Sequence, residues 1–80
     1  MQITIRLLAS YRPYLPELHD AQGGFAYEAE PGATVHEVLH SLPIPPTDRS
    51  TFFVNGLHGR REQVLRAGDV LTVFPAVGGG

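Results

Sequence analysis

TVHEVLHSL, residues 34–42, is the most strongly patterned segment of the chain and predicts its main helix. Thr34 and Glu37 have the spacing of a capping box, in which each side chain bonds the backbone amide of the other residue. Apolar residues three or four positions apart form one stripe along this helix: Val35, Val38, Leu39 and Leu42. The stripe predicts that the helix packs against a second layer of structure.

Two strand patterns precede the helix. Residues 2–8 alternate apolar and polar side chains, which places Leu8 on the face opposite the core. The residues of this strand predicted to face the core are Ile3, Ile5 and Leu7. Residues 25–29 predict a second strand that forms a hairpin with the first. The connection, residues 9–24, is interrupted by prolines and a glycine pair, so at most a short helical turn near residues 11–15 is expected.

Three further strand patterns follow the helix. Prolines end the helix because they lack an amide hydrogen and fix φ: Pro43, Pro45 and Pro46. Residues 51–55 predict a strand that runs into an Asn-Gly turn, and residues 57–60 predict a short partner strand or an irregular edge. Val64 and Leu65 are predicted to reach the core from a single helical turn. Residues 70–74 predict the last strand.

This order of elements predicts an α+β fold of the β-grasp, or ubiquitin-like, type. We expect a mixed sheet of four to five strands with one main helix packed across it, and parallel first and last strands at its centre. The predicted domain covers residues 1–74, followed by a flexible tail, residues 75–80. Alternation places Leu8, Phe53 and Phe74 in an exposed apolar patch near the tail, unless the long loop or a dimer contact covers them.

The tail has the sequence PAVGGG. Glycine has no Cβ and the largest conformational freedom of any residue, so three glycines in a row do not stabilise packing. Fully extended, the tail reaches roughly 20 Å, which is enough to enter the active site of another protein. The alternative is a frayed terminus or an expression remnant.

The composition predicts one globular domain. The chain has 80 residues, of which 42% are hydrophobic and 18% charged, and its net charge of -2 is too small to indicate a nucleic-acid partner. Neither a signal peptide nor an apolar run of about 18 residues is present, so we expect a cytoplasmic protein without a membrane partner. Cysteine and lysine are absent. Thiolate metal sites, cysteine nucleophiles and lysine amines are therefore excluded.

Five segments spread along the chain carry a resemblance to a known family: IRLLASYR (5–12), PGATV (31–35), FVNG (53–56), Leu65 with Gly68-Asp69, and FPAVGGG (74–80). In this order and spacing they resemble the small sulfur carriers, a family that includes the molybdopterin-synthase small subunit and the thiamine-pathway carrier. Leu8 and Ala76 depart from the pattern, because phenylalanine and a second proline are common at these positions in the molybdopterin-type carriers.

The resemblance implies that the protein is a carrier and co-substrate and not an enzyme. An E1-like activating enzyme would use ATP and Mg2+ to adenylate the carboxylate of Gly80, and a sulfur donor would convert it to a thiocarboxylate. Gly78 and Gly79 would give that enzyme access, and no cofactor or metal would be bound to the carrier itself. Residues expected to contact a partner such as a synthase large subunit are Leu8, Phe53, Phe74, Pro75, Ala76 and Val77.

The Phe-Pro ending favours molybdopterin, as the molybdenum or tungsten cofactor, as the acceptor of the sulfur. Carriers for thiamine or cysteine biosynthesis and a ubiquitin-like protein modifier are the alternatives. A binding module with a passive tail is a further alternative. Deleting the two terminal glycines would leave such a module functional.

HEVLH, residues 36–40, also matches the H-E-x-x-H pattern of zinc metalloproteases. The apolar stripe places His36 and His40 on the solvent-facing flank of the helix, and Glu37 is already assigned to the capping box. Only His19 and His58 remain as other imidazole ligands. We therefore expect no catalytic zinc, and at most adventitious binding of Ni2+ or Zn2+ by the histidine pair.

Overall fold

The computed structural model describes residues 1–44 and 50–75. The elements in chain order are β1 (Gln2–Leu7), a 3-10 helix (Ala9–Tyr14), β2 (Gly24–Glu28), α1 (Val35–Ser41), β3 (Ser50–Val54), β4 (Leu57–His58) and β5 (Val70–Pro75). The strands form one sheet of five in the order β2-β1-β5-β3-β4, and the apolar stripe of α1 joins the core on one face of it. This layout confirms the predicted mixed sheet crossed by one helix.

The last strand of the chain lies at the centre of the sheet. Leu71 of β5 pairs with Ile5 in the parallel ladder to β1 and with Val54 in the antiparallel ladder to β3. β1 also pairs with β2 in the predicted antiparallel hairpin. β5 runs to Pro75, which pairs with Ser50, so the strand extends one residue beyond its predicted end. Ala76 to Gly80, and Pro45 and Pro46 after the helix, lie outside the described residues.

The core lies between α1 and one face of the sheet, as the alternating patterns predict. Its buried members from the strands and the helix are Ile3, Ile5, Leu7, Val35, Val38, Leu39, Leu42, Phe52, Val54, Leu71 and Val73. Leu65 is buried as predicted, but Val64 is 54% exposed, so its assignment to the core is wrong. Val64 forms an isolated β-bridge with Thr34, and Leu65 donates its amide to Ala33 at 2.8 Å. The segment is thus extended and not helical, and extended neighbours point to opposite sides.

The long connection between β1 and β2 is organised by its own hydrogen bonds. Its 3-10 helix begins at Ala9, two residues before the predicted turn. Further along, one carboxylate oxygen of Asp20 accepts the amides of Gln22 and Gly24, each at 2.8 Å. The Gly24 amide is the main reason why the pKa of Asp20 is lowered. Gly23 has φ +81, a left-handed conformation that suits glycine in the turn before β2.

The capping box at the start of α1 is present as predicted. The Glu37 amide donates to the Thr34 hydroxyl at 3.2 Å, and a carboxylate oxygen of Glu37 accepts the Thr34 amide at 2.9 Å. This second bond is the main cause of the lowered pKa of Glu37. A lowered pKa in the folded state means that the ionised carboxylate stabilises the fold above its ordinary pKa, and that this contribution disappears as the pH falls through the folded pKa.

We predict that Glu37→Gln destabilises the protein at pH 7 and that the difference from the native chain shrinks below the ordinary Glu37 pKa of 4.5. Glutamine keeps an acceptor for the Thr34 amide, but it is neutral at every pH, so its contribution to stability does not change with pH. Urea unfolding at several pH values measures this difference, with Glu17→Gln as the control for an exposed loop carboxylate. Thr34→Ala should cost about 0.5–2 kcal/mol at neutral pH. A Glu37→Gln difference that stays constant from neutral to acidic pH would contradict this assignment.

Candidate functional site

The face of the sheet opposite α1, here called the open face, carries two phenylalanines. Phe53 of β3 and Phe74 of β5 have ring centroids 5.6 Å apart with the rings inclined at 38°. His58 of β4 packs edge-on against the Phe53 ring, also at 5.6 Å. Both phenylalanines are half-buried. They therefore form an apolar surface that the described residues cover only in part.

Leu8 continues this surface past the end of β1. Its backbone is still extended, with φ -118 and ψ 168, and its amide donates to the Val73 carbonyl at 3.0 Å. Because Leu7 pairs with Val73 in the parallel ladder, this register puts Leu8 beside Phe74 on the open face. We call Leu8, Phe53 and Phe74 the apolar patch. The structure brings the three predicted residues to one face, and their role in partner binding stays a prediction.

The apolar patch lies beside the point where the described chain ends. Pro75 is the last residue of β5, and Ser50, its partner in the ladder, accepts or donates a hydrogen bond of 2.9 Å with the Tyr11 hydroxyl. Tyr11 is a buried residue of the 3-10 helix. This bond connects the 3-10 helix to the first residue of β3, opposite Pro75. It therefore fixes the position of the sheet end at which β5 finishes. The sequence shows a tyrosine, but nothing in it indicates a partner 39 residues away.

Arg6 also lies on the open face, and the sequence patterns did not single it out as functional. It pairs with Thr72 of β5 in the parallel ladder, two residues before Phe74. Its Nε atom is buried and has no hydrogen-bond partner within residues 1–44 and 50–75. The Arg6 charge also acts on Asp20 in the loop before β2, where it helps to lower the pKa of that carboxyl after the larger contribution of the Gly24 amide. Arg6 thus adds a positive charge next to the apolar patch.

The two histidines of α1 lie where the helix pattern predicts them. His36 and His40 are both exposed, and their ring centroids are 4.2 Å apart. Glu37 between them is engaged in the capping box. Within the part of the chain that the structure describes, no three histidine, cysteine or acidic side chains come together as a metal-binding group. The arrangement of a zinc metalloprotease, with a third ligand and a free carboxylate base, is therefore not formed by these residues.

Of the other predicted site residues, only Pro75 belongs to the described chain. Ala76, Val77, Gly78, Gly79 and Gly80 lie outside it, and their predicted roles stay predictions. Among the described residues, no helix has the length and apolar character needed to cross a membrane.

A helix packed across a five-stranded mixed sheet, with parallel first and last strands, defines a ubiquitin-like β-grasp domain. A model of the ThiS family matches residues 5–80, which is nearly the whole chain. The protein therefore belongs to the ThiS family of small sulfur carriers. No curated protein matches the sequence significantly.

Solved structures share this fold at low sequence identity. The small archaeal modifier protein 1 of Haloferax volcanii is 19% identical with a TM-score of 0.73, and the match covers 95% of this chain and 98% of that one. A Pyrococcus furiosus protein assigned as molybdopterin converting factor subunit 1 is 20% identical, with a TM-score of 0.72 and coverage of 95% and 98%. One chain in a complex of subunits 1 and 2 of molybdopterin-converting factor from Helicobacter pylori is similar at 17% identity with a TM-score of 0.62, and the match covers all of this chain and all of that one.

Proposed function

We propose that this protein carries sulfur as a C-terminal thiocarboxylate on Gly80 and delivers it to molybdopterin as the small subunit of a two-component synthase. The observation that carries the proposal is the family match, which extends through the glycine tail to residue 80. The structure adds a supporting feature, since the central strand β5 leads from the apolar patch directly into that tail. A cytoplasmic location fits this role.

The chemistry has to be performed by a partner, because a carboxylate is ionised at pH 7 and is a poor electrophile. In the first step a carboxylate oxygen of Gly80 attacks the α-phosphate of ATP, and pyrophosphate leaves. In the second step hydrosulfide (HS⁻), released by a sulfide donor, attacks the carbonyl carbon of the acyl adenylate, AMP leaves, and the new C–S group loses its proton. One oxygen of the carboxylate is thereby replaced by sulfur. The activating enzyme supplies the Mg2+ and the cationic groups that bring the two anions together.

The open face is the surface we assign to the partners. The apolar patch offers two aromatic side chains, and aromatic residues dominate the energetics of protein interfaces. Arg6 adds a guanidinium beside the patch, and a carboxylate on the partner would complement its charge. The Helicobacter pylori complex supports a large subunit as one such partner, because a protein of this fold is assembled there with subunit 2. Pro75, Ala76 and Val77 would extend this contact toward the active site.

A protein modifier is the second candidate, and the similarity to the Haloferax volcanii modifier favours it. It would use the same adenylated glycine, but a lysine amine of a target protein would displace AMP and form an isopeptide bond. Isopeptide-linked peptides ending in Gly79-Gly80 on other proteins would identify this function. Thiamine or cysteine biosynthesis would share the loading step and differ only in the acceptor of the sulfur.

The loading step tests the proposal directly. The untagged protein is incubated with its activating enzyme, ATP, Mg2+ and a sulfide donor, and its intact mass is measured. We expect the mass to rise by the difference between sulfur and oxygen, with the change confined to the C-terminal peptide. The same mixture without ATP is the control and should leave the mass unchanged. An unchanged mass in the complete mixture would count against a sulfur carrier.

A further inference from the structure

We propose that His36 and His40 form a chelating site for one borderline transition-metal ion, such as Cu2+, Ni2+ or Zn2+, on the exposed flank of α1. The two residues are one helical turn apart, so their side chains project from the same strip of the helix surface. Their ring centroids are 4.2 Å apart. Imidazole nitrogens bind Zn2+ at about 2.0–2.1 Å, so one ion can bridge two rings at this separation after small side-chain rotations.

The local environment favours a cation at this position. Both imidazoles are exposed, so an ion can reach them without a change in the fold. Glu37 directly follows His36 in the helix, and its carboxylate accepts the Thr34 amide at 2.9 Å. Glu37 remains bound to the cap and does not ligate the ion. Its negative charge nevertheless adds a favourable field for a cation beside His36.

The composition of the site sets which ions bind. Two imidazoles and no thiolate suit Cu2+, Ni2+ and Zn2+, and affinities should follow the usual order in which Cu2+ binds more tightly than Zn2+. Mg2+ and Ca2+ prefer oxygen ligands and should not bind here. Two protein ligands leave coordination positions for water, because no third histidine, cysteine or acidic side chain joins the pair within the described residues. The site is therefore an open chelate and not a closed structural zinc site.

A metal ion bound at this site would stabilise α1. α1 has only seven residues, and a helix this short depends on tertiary packing and on its cap. A metal ion that links residues four positions apart holds one helical turn, and it binds the folded form better than an unfolded chain in which the two histidines are not held together. Such an ion stabilises the folded state by mass action. α1 lies on the face of the sheet opposite the apolar patch, so metal and partner can bind at the same time.

Isothermal titration of the untagged, metal-free protein with ZnCl2 and CuCl2 tests the site. We expect one ion per chain and tighter binding of Cu2+ than of Zn2+. His36→Ala and His40→Ala should each weaken binding by roughly tenfold or more, because the second imidazole acts at a high effective concentration. His19→Ala, which removes an exposed loop imidazole, is the matched control and should bind as the native chain does. Native affinity in either α1 variant, or a loss in His19→Ala, would overturn the proposal.

Thermal unfolding provides a second measurement that does not depend on the calorimetry. Zn2+ should raise the midpoint of the native protein and of His19→Ala, and it should leave the midpoints of His36→Ala and His40→Ala unchanged. Both α1 variants should fold, because alanine has a higher helix propensity than histidine at an exposed position. A native midpoint that does not rise with Zn2+ would show that the ion does not prefer the folded site. Sulfur loading should be the same with and without the two histidines, so failure of this site leaves the proposed function standing.

Discussion

A chain extended by one alanine after Gly80 is expected to lose thiocarboxylate formation completely while its fold and thermal midpoint stay unchanged. In the extended chain the Gly80 carbonyl belongs to a peptide bond and is no longer a carboxylate that ATP can activate. The new terminal carboxylate is displaced by up to about 3.6 Å, and a displacement of that order is enough to remove the reacting atoms from attack geometry. The measurement is the intact mass after incubation with the activating enzyme, ATP and the sulfide donor.

Two matched chains separate the possible reasons for this loss. An extension by one glycine moves the carboxylate without adding a side chain, and we expect it to fail as completely as the alanine extension. Gly79→Ala keeps the carboxylate in place but adds a Cβ, and we expect it to load more slowly if the tail passes through a narrow channel. If either extended chain is loaded at the native rate, the assignment of the Gly80 carboxylate as the reacting group is wrong.

Phe74→Asp is expected to weaken binding to the synthase large subunit by roughly 2 kcal/mol or more, which corresponds to about 30-fold in Kd. Phe74 is half-buried and packs against the Phe53 ring near the end of the central strand. An aspartate there would bring an uncompensated charge into a contact that excludes water. Binding is measured by calorimetry, and the thermal midpoint of the free variant shows whether it still folds.

The chain offers a matched control for this substitution. Leu18 is a large apolar residue that is 88% exposed, and it lies in the loop between the 3-10 helix and β2, outside the apolar patch. Leu18→Asp should bind the large subunit with native affinity. Phe53→Ala supplies a milder change in the same patch if Phe74→Asp is poorly folded. Equal effects of Phe74→Asp and Leu18→Asp would show that the open face is not the docking surface.

Local signals in the sequence predicted most of the fold. Thr34 and Glu37 lie three positions apart, so their reciprocal bonds could be predicted from the sequence alone. The alternation of Ile3, Ile5 and Leu7 predicted correctly which side of β1 is buried, because one buried face fixes the phase of a strand. The orientation of the apolar patch followed from the same rule applied to three strands.

Features that depend on contacts between residues far apart in the sequence could not be predicted from these local patterns. Two adjacent apolar residues, Val64 and Leu65, fit a helical turn or an extended segment equally well, and the bridge to Thr34 decided between them. The Tyr11 bond to Ser50 joins residues that are 39 positions apart. The Nε of Arg6 is buried without an acceptor among residues 1–44 and 50–75, and this depends on which groups the fold places around it. In each case the outcome is set by tertiary contacts.

The central position of β5 also has a consequence for the synthesis of the protein. The ribosome releases this strand after the other four, yet both β1 and β3 pair with it. A product that stops before Val70 has only the β1-β2 and β3-β4 pairs, and isolated hairpins are marginally stable in water. Such a fragment would expose its apolar faces and become a substrate for cellular proteases. Cellular quality control would thus degrade truncated chains that lack β5. Such chains also lack the tail, so they would otherwise compete for the partner without a terminus to load.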